Sequence, residues 1–345
     1  MATVDVTVMG AGIFGLSIAY ACAARGAKVR VIERAGIGAG SSGGLVGALA
    51  PHVPENWNEK KAFQFESLMM AAGFWGAVED ASGLATGYAQ CGRLQGIADA
   101  RGLDLARERA ENARGLWQGQ AVWQVVRRQG GWAPPSATGW LIHDTLSARL
   151  HPRRACASLA GAVVALGGEI VIGEAAAEGK IVWATGHHGL ADLSAALGKA
   201  VGAGIKGQAV LLDHDARDRP QLFADGLHLV PHGDGTVAVG STTERAFDAP
   251  DSTDAQLDAV LVRAIAACPV LARAPVLARW AGVRPRARTR APMLGEWPGR
   301  HGHYVANGGF KIGFGMAPKV AGAMADLLLE GRDGIPAGFR VKDNL

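Results

Sequence analysis

The residues best spaced for chemistry stand at the beginning of the 345-residue chain, where Gly10-Ala11-Gly12-Ile13-Phe14-Gly15 follows an apolar run over 4–8. A G-x-G-x-x-G turn between a strand and a helix can hold a pyrophosphate. Gly10 allows the tight turn, Gly12 lets the backbone approach the phosphates, and Gly15 lets helix and strand pack closely. The helix that follows would turn N–H groups without intrahelical partners, and the positive end of its dipole, toward the same anion. A second apolar run, Val29 to Glu33, ends in an acid at the spacing of a dinucleotide fold. A carboxylate there accepts hydrogen bonds from a ribose hydroxyl and repels a 2′-phosphate. Far along the chain, Arg284 precedes Pro285. Its planar guanidinium can grip both oxygens of a carboxylate, fixing distance and rotation together, on a backbone that proline stiffens. Arg286, Arg288 and Arg290 alternate with it. On an extended segment all four would share one face, with Arg284 at the inner end and the others toward solvent.

These groups need a scaffold, and the hydrophobic rhythm supplies one. The opening β-α-β pattern leads into a run of small residues over 36–51, which includes Ser41, Ser42, Val46, Gly47 and Ala48. Such a run lets backbone lie directly against a flat ligand, with N–H groups and hydroxyls as donors. An amphipathic helix is predicted over 58–79, carrying Phe63, Phe65, Leu68, Met69 and Phe74; short strands and one helix follow to about 140. Strand–helix alternation then resumes, with a helix after Pro152, a strand at Glu169 to Ile172, and a buried strand at 180–186 that ends Ala184-Thr185-Gly186. Residues 204–284 read as hairpin strands with a helix over 253–267, and a last helix is predicted over 319–329. The rhythm therefore predicts an α/β nucleotide domain made of 1–50, 141–204 and 285–345, and an antiparallel substrate domain made of 51–140 and 205–284.

With 49% hydrophobic and 19% charged residues the chain is an ordinary globular one, long enough for two domains. The net charge of +4, mostly from Arg, fits anionic small molecules and does not argue for nucleic acid. Cys22, Cys91, Cys156 and Cys268 are scattered without metal-ligand spacing, so neither a metal site nor a disulfide framework is expected. The first strand begins at about residue 4, leaving no room for a leader, and no apolar run reaches the roughly 18 to 20 residues of a membrane span. A cytoplasmic protein with reduced thiols is the expectation.

In order and spacing the residues resemble the D-amino-acid-oxidase-like family of FAD-dependent oxidoreductases, most closely its glycine-oxidase branch. The resemblance runs through five blocks: the fingerprint with Glu33, Ser41-Ser42 with the small-residue run, 181–186, Trp280-Ala281-Gly282-Val283-Arg284-Pro285, and the Gly-rich stretch 307–318. It implies FAD, where the fingerprint alone leaves NAD open, because in this family a strand ending Ala-Thr-Gly returns to the cofactor. The implied fold is a Rossmann-like FAD domain of the glutathione-reductase type with an inserted antiparallel substrate domain. Carried onto this chain, the resemblance implies Ile13 and Phe14 at the pyrophosphate turn, Glu33 and Arg34 around the adenosine ribose, and Ser41 and Ser42 at the pyrophosphate. Val46, Gly47 and Ala48 would meet the isoalloxazine, Thr185 and Gly186 would lie beside the cofactor, and the backbone of Val171 or Ile172 would touch the adenine. Gly309, Phe310, Lys311, Ile312, Gly313, Phe314 and Gly315 would cover the flavin from the far side. Arg284 matches the family's carboxylate-binding arginine, and Lys311 in Gly-Phe-Lys looks like the carboxylate-binding lysine of the sarcosine-oxidase branch. No cysteine stands near 290–311, where that branch bonds its flavin, so non-covalent FAD is expected. Two departures are the Arg286-Ala287-Arg288-Thr289-Arg290 run, where the family reads Gly-Thr, and a short connection over 170–180.

The implied reaction is two-electron oxidation of an amino acid or secondary amine of the glycine, sarcosine or D-amino-acid kind, with oxygen or a quinone as electron acceptor. A flavin carries that chemistry itself, so no side-chain acid or base is strictly required. The lack of a Ser/His/Asp or Cys/His constellation is therefore no objection to an enzyme. His52, His228 and His232 are candidates to tune amine protonation or line the pocket, with His52 placed beside Arg284 and Lys311 as a catalytic candidate. Two further readings stay open. One is an oxidase of a carboxymethylaminomethyl group on tRNA uridine, suggested by the arginine ladder and by Thr289-Arg290-Ala291-Pro292, which resembles the oxidase module of tRNA wobble-uridine modification enzymes; the other is a flavin-binding module without catalysis.

Overall fold

The structure, a computed structural model, describes residues 4–345. One sheet has six strands in the order Met293–Glu296, His303–Asn307, Lys180–Trp183, Val6–Met9, Val29–Glu33 and Glu169–Ile172. The last five run parallel, and Met293–Glu296 joins the edge antiparallel. Val6, Val8, Val31 and Val182 are fully buried, as parallel strands covered on both faces must be. The helix Ile13–Ala23 is buried at every position except Ala21, and it packs against Pro152–Ala165 and Gly313–Ala325. The fingerprint glycines explain how it sits so close to the sheet. Gly10 has φ +108°, and a Cβ there would fall 2.6 Å from the Ala184 carbonyl oxygen; a Cβ on Gly15 would fall 2.0 Å from the Gly10 carbonyl oxygen.

The second sheet has eight strands in the order Val276–Ala287, Gly202–Asp213, Thr236–Gly240, Leu227–Pro231, Gln221–Ala224, Arg93–Gly96, Trp140–Asp144 and Trp123–Arg127. Its neighbours are antiparallel except Gln221–Ala224 against Arg93–Gly96, which run parallel and join the earlier strands to the later hairpins. The helix Ala255–Ala267 covers one face, with Leu257, Val260 and Ala264 against Val210, Leu212, Val237 and Val239. Among the described residues no helix is long and apolar enough to cross a membrane, and no group of His, Cys, Asp or Glu is placed to hold a metal ion.

The structure departs from the sequence expectations in four places. Trp140–Asp144 lies in the eight-stranded sheet although the nucleotide segment was expected to resume at 141. It pairs on both sides, and Arg93 Nε donates to the buried Asp144 carboxylate at 2.9 Å. The strands Gly202–Asp213 and Val276–Ala287 overrun the expected steps at 204/205 and 284/285. The helix expected over 58–79 spans Glu59–Ser82, and it packs on Pro152–Ala165 and Gly313–Ala325 rather than on the second sheet. Its periodicity marks a buried face but not which layer that face will meet. The last helix starts at Gly313, not 319, and carries Pro318 inside it. The burial of Met316, Ala317, Val320 and Ala321 outweighs the hydrogen bond that proline cannot make.

Candidate active site

All five parallel strands end at one cavity of about 1030 Å³. Its walls include the residues just past each strand: Gly10, Arg34, Gly173, Ala184 and Gly308. A crevice outside the carboxyl ends of a parallel sheet is where such folds bind ligands. The volume sits at the top of the usual range of about 300–1,000 Å³, large for a small substrate alone. The first turns of three helices, at Ile13-Phe14, Gly186-His187 and Gly313-Phe314, line it together. Each presents N–H groups that no intrahelical carbonyl can serve, so this end of the sheet favours anions.

One end of the cavity is built from backbone. Glu33 accepts from the Ala11 N–H at 2.8 Å and from the Ala35 N–H at 3.0 Å, which fixes its carboxylate on the wall beside Arg34, Gly173, Glu174 and Ala175. Ser42 Oγ accepts from the Ile13 N–H at 2.9 Å, so this hydroxyl from the small-residue run orders the fingerprint turn as well as lining the cavity with Ser41. Gly12 has φ −83°, a conformation open to any residue; a Cβ there would meet Ser42 Oγ at 3.3 Å and otherwise face the cavity. Val46 and Ala48 line the chamber, as does the whole stretch from Gly309 through Phe310, Lys311, Ile312, Gly313 and Phe314 to Gly315. A Cβ on Gly309 would fall 2.9 Å from the Phe14 ring and 3.0 Å from Gly313 Cα, so only glycine lets this cover close down.

The other end is built from side chains of the eight-stranded sheet. Arg284 is 7% exposed, donates from Nη2 to the Thr242 carbonyl at 2.9 Å, and leaves Nε without a partner. Burial pushes its guanidinium down to about 10, against the opposing pull of Glu244, so it remains charged at neutral pH. No carboxylate among the described residues reaches it: Glu244 is held by Gln208 at 3.1 Å and Lys206 at 3.5 Å. Space for the guanidinium comes from Gly207, where a Cβ would fall 1.1 Å from Arg284 Nη2. Phe223 and His228 complete this wall, their rings 4.8 Å apart. His228 Nδ1 is buried without a partner, and burial, reinforced by Arg93 and Lys311, pushes the imidazole down to about 3, so it is neutral in ordinary buffers. Lys311 donates to Thr243 Oγ1 at 2.9 Å, and its ammonium lies below the ordinary lysine range, first through burial and second through Arg284.

Several candidates stand elsewhere. Gly47 is not on the cavity wall. A Cβ there would fall 1.8 Å from the Leu150 carbonyl oxygen, so it serves strand packing. Gly15 likewise packs helix on strand, as described above. Val171 and Ile172 stop short of the chamber, and the residues that follow directly, Gly173 to Ala175, take the wall instead. His52 is one step back: its backbone N–H donates to Gln64 Oε1 at 2.7 Å, its ring contacts the same oxygen, and Gln64 is the residue on the wall. His232 is buried with Nε2 at 3.0 Å from the Leu45 carbonyl oxygen, a structural role. The arginine ladder ends where its strand ends, at Ala287. Arg284 and Arg286 both flank the Phe310 ring, at 5.8 and 6.0 Å, while Arg288 turns to the Leu345 carbonyl and Arg290 sits in a left-handed turn at φ +62°. Sequence reasoning missed Gly207, Phe223 and Gln64. Gly207 alone had a signal: a glycine inside a strand pattern marks a close approach of something else.

A chamber at the carboxyl ends of a parallel sheet, with a backbone-fixed acid at one end and a desolvated arginine at the other, defines a dinucleotide-binding protein. The chain belongs to the FAD dependent oxidoreductase family, whose model matches residues 5–327. FAD is the cofactor of that family. The chain is 27% identical over 357 residues to a bifunctional ThiO/ThiG protein of Trichormus variabilis, covering 95% of this chain and 53% of that one. It therefore spans about half the length of this relative. It is 24% identical to a glycine oxidase of Geobacillus kaustophilus over 94% of this chain and 92% of that one. Among solved structures, a glycine oxidase from Geobacillus kaustophilus superposes with a TM-score of 0.85 at 21% identity, covering 98% of each chain. An iminodiacetate oxidase from Chelativorans sp. BNC1 superposes with a TM-score of 0.83 at 21% identity over 97% of this chain and 98% of that one.

Proposed function

We propose that the protein oxidises the Cα–N bond of a small amine that bears a carboxylate, in the manner named for its glycine-oxidase relatives. The observation that carries this reading is Arg284: a buried guanidinium with an orphaned Nε, no carboxylate of its own and a glycine cleared to seat it. Burying a charge without a partner is costly, so such a group is best explained by an anion that arrives with the ligand. Bound FAD supplies the hydride acceptor. Arg284 fixes the substrate carboxylate and thereby the rotation of the Cα–H bond. Phe223 and the neutral His228 wall off water, and the imidazole can accept a hydrogen bond from the amine N–H. The first turn of Gly313–Ala325 and the fingerprint turn hold negative charge on the cofactor side through their N–H groups.

In this reading Gly10, Gly12, Ile13, Phe14, Glu33, Arg34, Ser41 and Ser42 hold the adenosine and pyrophosphate. Val46, Ala48, Thr185, Gly186 and 309–315 enclose the flavin. We assign the parallel sheet with its helices to a discontinuous FAD domain and the eight-stranded sheet to a substrate domain. No cysteine lines the cavity, which supports non-covalent attachment. The test is anaerobic mixing of the yellow holoenzyme with glycine, sarcosine and D-alanine. Bleaching of the flavin band is expected, with all flavin released by acid precipitation; a band that no carboxylate-bearing amine bleaches would overturn the reading. Peroxide formation measured against dye reduction identifies the acceptor.

A further inference from the structure

Among the described residues Arg284 has one hydrogen-bond partner, the Thr242 carbonyl, and what fixes that carbonyl lies on the other face of the eight-stranded sheet. Residues 242–244 follow the strand Thr236–Gly240 and run beside Gly202–Asp213 as a short strap. The Thr242 N–H donates to the Gln208 carbonyl at 3.3 Å, and Lys206 and Glu244 exchange both of their N–H to carbonyl bonds at 3.0 Å. Glu244 stands opposite Lys206 and Arg284 opposite Ile205, so strand alternation puts Glu244 and Arg284 on opposite faces. Thr243 turns toward the cavity, where its hydroxyl accepts from Lys311. On the far face Lys206, Gln208 and Glu244 are all buried, and none of them lines the cavity. There the Gln208 N–H donates to Thr242 Oγ1 at 2.8 Å, and that hydroxyl donates in turn to Glu244 Oε1. The same carboxylate oxygen accepts from Gln208 Nε2 at 3.1 Å, while Oε2 stands 3.5 Å from the Lys206 ammonium. An ionised carboxylate only accepts, so it can take the hydroxyl and the amide together.

We propose that Glu244 is a positioning residue for the substrate carboxylate. Through the Thr242 hydroxyl it fixes the strap, the strap fixes the Thr242 carbonyl, and that carbonyl holds one nitrogen of Arg284 so that the rest of the guanidinium faces the ligand. The role rests on Arg284 as the carboxylate anchor and extends that site to the far face of the sheet. Glu244 has two duties, acceptor for Thr242 and counter-charge for Lys206. Removing it alone would strand a buried ammonium, which costs stability whether or not the strap moves. Paired substitutions separate the two duties. Lys206→Met/Glu244→Gln takes both charges away and keeps an amide oxygen for the Thr242 hydroxyl. Lys206→Met/Glu244→Leu takes both charges away and leaves no acceptor.

Methoxyacetate, a carboxylate with no nitrogen to oxidise, tests this without turnover. It is titrated into holoenzyme and followed by the flavin visible spectrum, with FAD content and Tm recorded for every variant. Thr242→Val removes the bridging hydroxyl, keeps the carbonyl and the side-chain volume, and changes no charge. It is expected to weaken methoxyacetate about tenfold with FAD content unchanged, the cost of a misplaced guanidinium. The Gln double variant is expected to stay within about twofold of wild type and the Leu double variant to fall about as far as Thr242→Val. Wild-type affinity in Thr242→Val, or equal affinities in the two double variants, overturns the proposal; Thr242→Val decides alone if the double variants lose FAD. Arg284→Leu separates the levels. If it loses the ligand while Thr242→Val keeps it, the anchor stands and the role of Glu244 falls. A wild-type spectrum that methoxyacetate does not perturb, or an Arg284→Leu protein that binds it equally well, overturns the anchor and the positioning role with it. If Thr242→Val weakens the ligand as expected but no amine bleaches the flavin, amine oxidation falls and the positioning role stands.

Discussion

At one end of the cavity the protein offers backbone and at the other it offers side chains, and the two ends obey different physics. The nucleotide end is assembled from strand ends and helix starts, its fingerprint, acid and serines all falling within residues 10–42, and its acid is pinned by two N–H groups of neighbouring loops. The substrate end gathers Gly207, His228, Arg284 and Lys311 from three strands and a loop spread over about a hundred residues. Ligand affinity at the first end depends on what is absent, namely Cβ atoms. At the second it depends on charges kept out of water and on the neighbours that let them be there.

That contrast predicts its largest effect at Gly12. Its φ of −83° suits any residue, so Gly12→Val carries no backbone strain and tests space alone. The added methyls would enter the chamber beside Ser42, whose hydroxyl caps the helix at Ile13. FAD is expected to be lost almost completely, read as absorbance near the flavin band per mole of protein, while circular dichroism shows the fold retained. A Gly12→Val protein with a full complement of FAD would show that the fingerprint does not carry the pyrophosphate.

At the substrate end the expected loss is in turnover with FAD content unchanged. Arg284→Leu removes one partner of a desolvated charge pair with the substrate, an effect of about 2–5 kcal/mol, or roughly 30-fold to several thousand-fold in kcat/KM. Gly207→Ala sharpens the point because it leaves the arginine in place. A Cβ 1.1 Å from Nη2 must push the guanidinium aside, and the far end of a long side chain can yield without unfolding the sheet. A smaller loss, on the order of ten- to a hundredfold, is expected, since an ångström of misplacement costs about that much. Equal kcat/KM for Gly207→Ala and wild type would mean the arginine's seat is not what positions the substrate.

The same contrast decides what the sequence could reveal. The fingerprint, the acid at 33 and the Ala184-Thr185-Gly186 strand end were legible because each is a local pattern whose chemistry follows from neighbours in the chain. Arg284 was legible as a residue type next to Pro285, but its seat was not, because Gly207 meets it only through the pairing of Gly202–Asp213 with Val276–Ala287. Two candidates lie off the wall for one cause. His52 and Gly47 have suitable types in a suitable stretch, yet which side of the loop faces the chamber is set by contacts with Gln64 and Leu150, which no local pattern reveals. The helix Glu59–Ser82 went to the wrong layer for the same reason.

The smallest expected effect concerns His228, which belongs to the side-chain end but acts through its burial. Its imidazole is pushed from 6.5 down to about 3 in the folded protein. Between those values the unfolded chain binds a proton that the native protein does not, so stability rises with pH across that window. The contribution is complete above pH 6.5 and is lost as the pH falls toward 3. One such proton is worth roughly 1.4 kcal/mol per pH unit. His187 and His232, each lowered to about 4, act in the same direction, as do His52, His151 and His303, so His228→Gln should flatten the slope of unfolding free energy between pH 5 and 6.5 by a minor fraction rather than abolish it. Urea denaturation at pH 5, 6 and 8 reads this directly. Because the wild-type imidazole is already neutral throughout that range, the pH profile of kcat/KM should keep its shape in His228→Gln even if its height falls. A profile whose acid limb disappears in the variant would mean that His228 titrates in the working enzyme, and that the substrate end is far wetter than its packing implies.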